Sequence, residues 1–67
     1  MKYSIQFERE ADGRWIAEIA DLPGVLAYGA TKEDAIAKVE ALALRAVAEK
    51  IEHGETSSDF TISFSTL

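Results

Sequence analysis

The fold is decided by residues 2–20, which read KYSIQFEREADGRWIAEIA. In the first half of this stretch, polar side chains alternate with the apolar side chains of Tyr3, Ile5 and Phe7. Such alternation predicts a strand from Lys2 to Arg9 with one buried face. The polar segment 11–13 ends in glycine, which readily adopts the positive φ of a tight turn. The chain is therefore expected to begin with a β-hairpin.

The length of the hairpin loop determines which side chains share a face. A two-residue turn at Asp12-Gly13 would place Phe7 opposite Glu18, which would bury a carboxylate or expose an aromatic ring. A three-residue loop with Gly13 in the left-handed region pairs Phe7 with Ala17 instead. We predict this second register. It places on the core face Trp15, Ala17 and Ile19.

One helix and two more strands are predicted after the hairpin. Pro23-Gly24 favours a turn, and a short strand should follow from Val25 to Tyr28. Thr31 has the features of a helix N-cap, and His53-Gly54 is a stop signal, so the helix should run from about Lys32 to Glu52. Its apolar stripe comprises Ile36, Val39, Leu42, Ala43, Ala46 and Val47. A final alternating segment predicts a fourth strand with apolar residues Phe60, Ile62 and Phe64.

These elements predict a two-layer α+β fold of order β-β-β-α-β, formed by a single domain over 1–67. The first three strands form an antiparallel meander, and a right-handed crossover through the helix places the last strand parallel to the first. The expected sheet order is 3-2-1-4, mostly antiparallel, with the helix packed on one face.

The charge balance bears on the class of partner. Twelve acidic and seven basic residues give a net charge of −5, which argues against binding nucleic acid through phosphate contacts and favours a basic protein partner. There is no cysteine, so neither a disulfide nor a thiolate zinc site is available. No stretch has the length and apolarity of a membrane span or the apolar core of a signal peptide, so a cytoplasmic location is expected.

Neither a catalytic site nor a cofactor or metal site is predicted. The carboxylates of Glu8, Glu10 and Asp12 cluster at one end of the first strand and in the hairpin, where they fit a solvated rim. The one histidine, His53, is explained by the negative end of the helix dipole. Neither GxGxxG nor GxxxxGK[ST] occurs. The chain is therefore expected not to be an enzyme.

Two surfaces are candidates for self-association into a dimer or tetramer. Leu44 and Ile51 lie off the apolar stripe of the helix, on the side away from the predicted core. The last strand is an uncharged edge strand without proline, and it could pair with a second copy or with another protein. The candidate residues on that strand are Phe60, Ile62 and Phe64.

Several short motifs, taken together, resemble the HicB family of antitoxins from bacterial type II toxin–antitoxin systems. They are Phe7-Glu8-Arg9-Glu10, Asp12-Gly13 with Trp15, Asp21-Leu22-Pro23-Gly24, and Gly29-Ala30-Thr31 leading into Glu33-Asp34-Ala35. The resemblance covers nearly the whole chain. Many relatives have cysteine where this chain has Val25.

The resemblance implies a partial ribonuclease H-like domain without catalytic acids. It implies as partner a HicA-type toxin, a small basic mRNA interferase that the antitoxin binds and neutralises. Family members typically add a C-terminal DNA-binding domain; this chain ends after its fourth strand, so it is not expected to bind DNA directly. The alternative is a stand-alone oligomeric regulatory or scaffold module with no toxin.

Partner contacts are expected from two groups of residues. Acidic side chains would speed the encounter with a basic toxin, and an exposed isoleucine and the Asp-Leu-Pro-Gly turn would supply contacts. The candidates are Glu8, Glu10, Ile16, Glu18, Asp21, Leu22, Pro23 and Gly24.

Overall fold

A computed structural model describes residues 1–55 and 61–66. The elements in chain order are β1 (Lys2–Arg9), β2 (Trp15–Glu18), β3 (Leu26–Gly29), α1 (Lys32–Glu52) and β4 (Ser63–Thr66). The strands form one sheet in the order β3-β2-β1-β4. β2 is antiparallel to both its neighbours, and β4 is parallel to β1. The predicted α+β arrangement is confirmed.

The hairpin between β1 and β2 has the predicted register. Phe7 lies opposite Ala17, and Gly13 has φ of 91°. The loop is closed by Glu10, whose N–H donates to the Arg14 carbonyl at 2.7 Å. β2 begins at Trp15, and the core-facing alternation continues past its end to Ile19, which is buried.

The segment between β2 and β3 folds back on itself, and this shifts β3 by one residue from the prediction. The Leu22 N–H donates to the Ile19 carbonyl, and the Val25 N–H donates to the Leu22 carbonyl. Val25 thus still belongs to the turn, and β3 runs from Leu26 to Gly29 instead of from Val25 to Tyr28. The same turn carries the Leu22 side chain into the core, where only 4% of it is exposed.

The helix begins and ends where its capping residues predict. The Thr31 hydroxyl accepts a hydrogen bond from the Asp34 N–H at 3.1 Å, which satisfies one of the free amides of the first turn. At the other end His53 is the C-cap, and Gly54 follows it with φ of 72°. Both cap predictions are confirmed.

The buried line of α1 differs in part from the predicted stripe. The buried residues repeat every four positions and are Ala35, Val39, Ala43 and Val47. Ala35 was missing from the prediction. Ile36, Leu42 and Ala46 are only partly buried and flank this line. Where the buried residue is alanine, at Ala35 and Ala43, the helix backbone can lie closer to the sheet than a branched side chain would allow.

Helix and sheet approach each other closely at Gly29, the last residue of β3. A Cβ atom added there would lie 2.5 Å from the Ala35 amide nitrogen and 2.9 Å from the Ala35 Cα. Both atoms belong to the helix backbone, so a side-chain rotation cannot relieve the contact. Glycine is required here for space, and this contact fixes the start of α1 on the end of β3.

Replacement of Gly29 by alanine should destabilise the fold by about 1–3 kcal/mol, because the backbone of α1 must shift to admit the methyl group. Urea denaturation at fixed protein concentration measures the loss. Ala30→Ser is the control, since Ala30 is the exposed neighbour. A G29A protein as stable as the A30S protein would contradict the close approach.

Candidate protein-binding surface

The sheet has one face that α1 does not cover, which we call the outer face. Ile5, Ala17 and Ala27 are buried beneath the helix. Side chains alternate along a strand, so the residues between them point to the opposite side. On β1, β2 and β3 the outer-face residues are Lys2, Ser4, Gln6, Glu8, Ile16, Glu18, Leu26 and Tyr28.

A shallow depression of about 190 Å³ lies on the outer face between β1 and β2. It is lined by Gln6, Phe7, Glu8, Glu10, Ile16 and Glu18. The strand register explains this grouping, because Glu8 lies opposite Ile16 and Gln6 lies opposite Glu18. We call Glu8, Glu10 and Glu18 the acidic rim. Within residues 1–55 and 61–66 these three carboxylates form no salt bridge.

Exposed apolar side chains continue the outer face from the depression toward the β3 edge. Tyr28 lies opposite Ile16, and Leu26 lies opposite Glu18. Leu26 and Tyr28 are each 40% exposed. We call Ile16, Leu26 and Tyr28 the apolar strip. An apolar strip beside an acidic rim is a surface on which a basic protein can bury apolar area and neutralise charge.

Arg14, at the hairpin end of β2, is already paired with another residue. Its Nε lies 2.7 Å from Asp12 Oδ2, and its guanidinium carbon lies 4.5 Å from the centre of the Tyr28 ring. The Arg14 backbone N–H also donates to Asp12 Oδ1 at 3.1 Å. This backbone bond, followed by the side-chain bond, lowers the pKa of Asp12. Arg14 therefore compensates Asp12, and the acidic rim keeps its negative charge.

The structure brings together some of the predicted partner contacts. Glu8, Glu10, Ile16 and Glu18 all line the depression. Ile16 is partly buried there, whereas the sequence predicted it to be exposed. Asp21, Pro23 and Gly24 are exposed in the turn after β2. Leu22 is buried within that turn, so its side chain belongs to the core and is not available to a partner.

Leu26 and Tyr28 were missed by the sequence reasoning. The signal for them was present, because Ala27 and Gly29 are the small residues on which a helix can pack, and their neighbours must then face outward. Both residues extend the apolar area that Ile16 alone would offer.

The residues predicted for self-association lie on two separate surfaces. Leu44 is 48% exposed on α1, and Ile51 is partly buried near the end of that helix. Ile62, which was predicted within the last strand, precedes β4; Ile62 and Phe64 are partly buried, and Phe60 lies outside the described residues. The structure does not join the two surfaces into one.

Two searches of the described residues were negative. Within the ranges 1–55 and 61–66, no three histidine or acidic side chains are placed to share a metal ion. In the same part of the chain, α1 lacks the apolar character that a membrane-crossing helix requires.

Comparison of the chain with protein-family models, curated proteins and solved structures finds no match.

Asp12 should titrate below its ordinary pKa of 3.8, because two hydrogen bonds from Arg14 favour its carboxylate form. A carboxylate whose pKa is lowered by folding stabilises the fold above pH 3.8, and this contribution is lost as the pH falls through the lower, folded value. NMR titration of the Asp12 side-chain carbonyl carbon measures the midpoint.

Arg14→Ala should raise that midpoint only part of the way, since the backbone donor remains in the variant. A wild-type midpoint at or above 3.8 would contradict the pairing of Asp12 with Arg14.

Proposed function

We propose that this chain acts as a HicB-like antitoxin, which binds a small basic HicA-type mRNA interferase and neutralises it through protein–protein contact. The observation that carries the proposal is the acidic rim beside the apolar strip on the uncovered face of the sheet. The motif set from Phe7 to Ala35 supports the choice of family. A sheet of order β3-β2-β1-β4 with one helix is compatible with a partial ribonuclease H-like domain.

In this proposal the toxin is neutralised by non-covalent binding, without a chemical reaction catalysed by this chain. A toxin that cleaves mRNA must present cations to the RNA phosphates, and the same cations are attracted by the carboxylates of the acidic rim. The apolar strip would then bury against the toxin and slow dissociation. Occupation of the toxin's basic surface excludes RNA. Because mRNA is the toxin's substrate, the proposal places the complex in the cytoplasm.

The exposed turn at Asp21, Pro23 and Gly24 supplies a second set of contacts in this proposal. Its backbone is held by the hydrogen bonds of Leu22 to Ile19 and of Val25 to Leu22. A turn fixed in this way loses little conformational entropy on binding. It can therefore contribute contacts although its side chains are short.

The second candidate function is a stand-alone oligomeric regulatory or scaffold module with no toxin. The uncharged edge strand β4 favours it, since such an edge pairs readily with another chain. The two functions are distinguished by the neighbouring reading frame. A small basic protein encoded there supports the antitoxin, and its absence supports the module.

Neutralising the acidic rim should slow toxin binding. In the triple variant Glu8→Gln, Glu10→Gln, Glu18→Gln, the association rate with a HicA-type toxin from the same genome should fall by about tenfold or more at low salt. Stopped-flow or surface-based kinetics at several salt concentrations measures the rate.

The matched control is Glu49→Gln, Glu52→Gln, Glu55→Gln, which removes the same charge from exposed positions at the far end of α1. The control should keep most of the wild-type rate. Equal losses in both variants would show that net charge, and not the acidic rim, attracts the toxin. Absence of any complex at micromolar concentrations, whatever the salt, would overturn the proposed function.

The apolar strip should determine the lifetime of the complex. In the double variant Leu26→Ser, Tyr28→Ser, the dissociation rate should rise by about tenfold or more, because exposed aromatic and aliphatic side chains dominate binding energy at interfaces. Leu44→Ser is the control, since Leu44 is similarly exposed but lies on α1. A larger effect of L44S would place the toxin on the helix.

A further inference from the structure

The β4 edge of the sheet carries backbone groups that are free to pair. The Ser63 N–H donates to the Met1 carbonyl at 2.9 Å, so Ser63 directs its backbone toward β1. Successive residues of a strand direct their N–H and C=O groups to opposite sides. Phe64 and Thr66 therefore direct theirs away from β1. Among residues 1–55 and 61–66, no hydrogen bond reaches this outer side.

This edge lacks the features by which proteins usually block strand addition. Residues 61–66 contain neither a charged side chain nor a proline. Lysine, proline and bulges are the common devices against edge pairing. On a chain of net charge −5, an uncharged edge is also where two copies can approach with the least repulsion.

The helix side of the sheet is less completely covered at β4 than at its other end. α1 packs mainly against β3 and β2. The Lys32 ammonium of α1 also lies 3.9 Å from the centre of the ring of Phe7 on β1. At the β4 edge the rings of Tyr3 and Phe64 lie 6.1 Å apart and are both only partly buried.

We propose that β4 pairs antiparallel with β4 of a second copy of this chain, about a two-fold axis perpendicular to the sheet. The result is a continuous eight-stranded sheet. Such an axis keeps both helices on the same side, so the Phe64 rings of the two copies meet in the space between the helices. Pairing satisfies the free backbone groups of the edge and covers its aromatic side chains together.

The symmetry also restricts the register. A perpendicular two-fold axis preserves the two faces, so residues that lie opposite each other must both be even-numbered or both odd-numbered. The hydrogen-bonded pairs must come from the outward-directed residues. We choose the register centred on Phe64, which pairs Phe64 with Phe64 and Ser63 with Ser65 of the second copy and uses only residues 62–66.

This dimer presents two outer faces on one side of the extended sheet. The two β2 strands are separated by five inter-strand spacings, about 24 Å at the usual strand separation. Each acidic rim stays uncovered, so self-pairing and partner binding are compatible. The inference stands independently of the identity of the partner.

Cysteine cross-linking tests the register directly, because the chain contains no native cysteine. Ser63 and Ser65 are exposed and form a non-hydrogen-bonded pair in this register, for which a Cα separation of about 4.5 Å permits a disulfide. Mixing ¹⁵N-labelled S63C with unlabelled S65C under oxidation should give mainly the mixed-label disulfide by mass spectrometry. S4C, at an exposed β1 position away from the edge, should cross-link far less.

Sedimentation equilibrium supplies the independent measurement. The wild-type chain should form a dimer at high micromolar concentration, and Thr66→Pro should raise its dissociation constant by about tenfold or more, since proline removes an outward N–H. A wild-type monomer overturns the proposal. A dimer in which S63C and S65C cross-link no better than S4C also overturns it, as does preferential S63C–S63C or S65C–S65C linkage.

Discussion

The close contact between Gly29 and the first turn of α1 is the constraint on which the rest of the structure depends. Without a Cβ at Gly29, the Ala35 backbone can lie against the end of β3, and the Thr31 cap starts the helix at that point. Ala43, four residues after Val39, continues the close packing. A helix held this closely covers β3 and β2 at the expense of β4.

The position of the helix determines the character of every other surface. One helix can cover only one face of a sheet, so the outer face must be solvated or meet a partner. On that face Glu8 of β1 and Glu18 of β2 are acidic, whereas Ile16 of β2 and both outer residues of β3 are apolar or aromatic. The register produces this juxtaposition. If β2 slipped by one residue against β1 and Phe7 kept its place, Glu18 would face the core and Ala17 would face outward.

The sequence predicts the local geometry well because local chemistry specifies it. Gly13 sets the hairpin register, Thr31 starts the helix, and both act over only a few residues. Predictions that depended on tertiary packing were less accurate. Periodicity could not choose between Ala35 and Ile36 as the buried residue, because that choice depends on the space beside Gly29. Likewise, the burial of Leu22 follows from the hydrogen bonds of its turn, which composition does not reveal.

Charge separates the two kinds of association that this domain can support. The carboxylates of the acidic rim would repel an identical rim, so the outer face is unsuited to self-pairing and suited to a basic partner. The β4 edge is uncharged, and it can pair with an identical edge because each copy offers the same free N–H and C=O groups. A small domain with a marginal core gains stability from such pairing. Because such pairing would use the edge, it would leave the outer face uncovered.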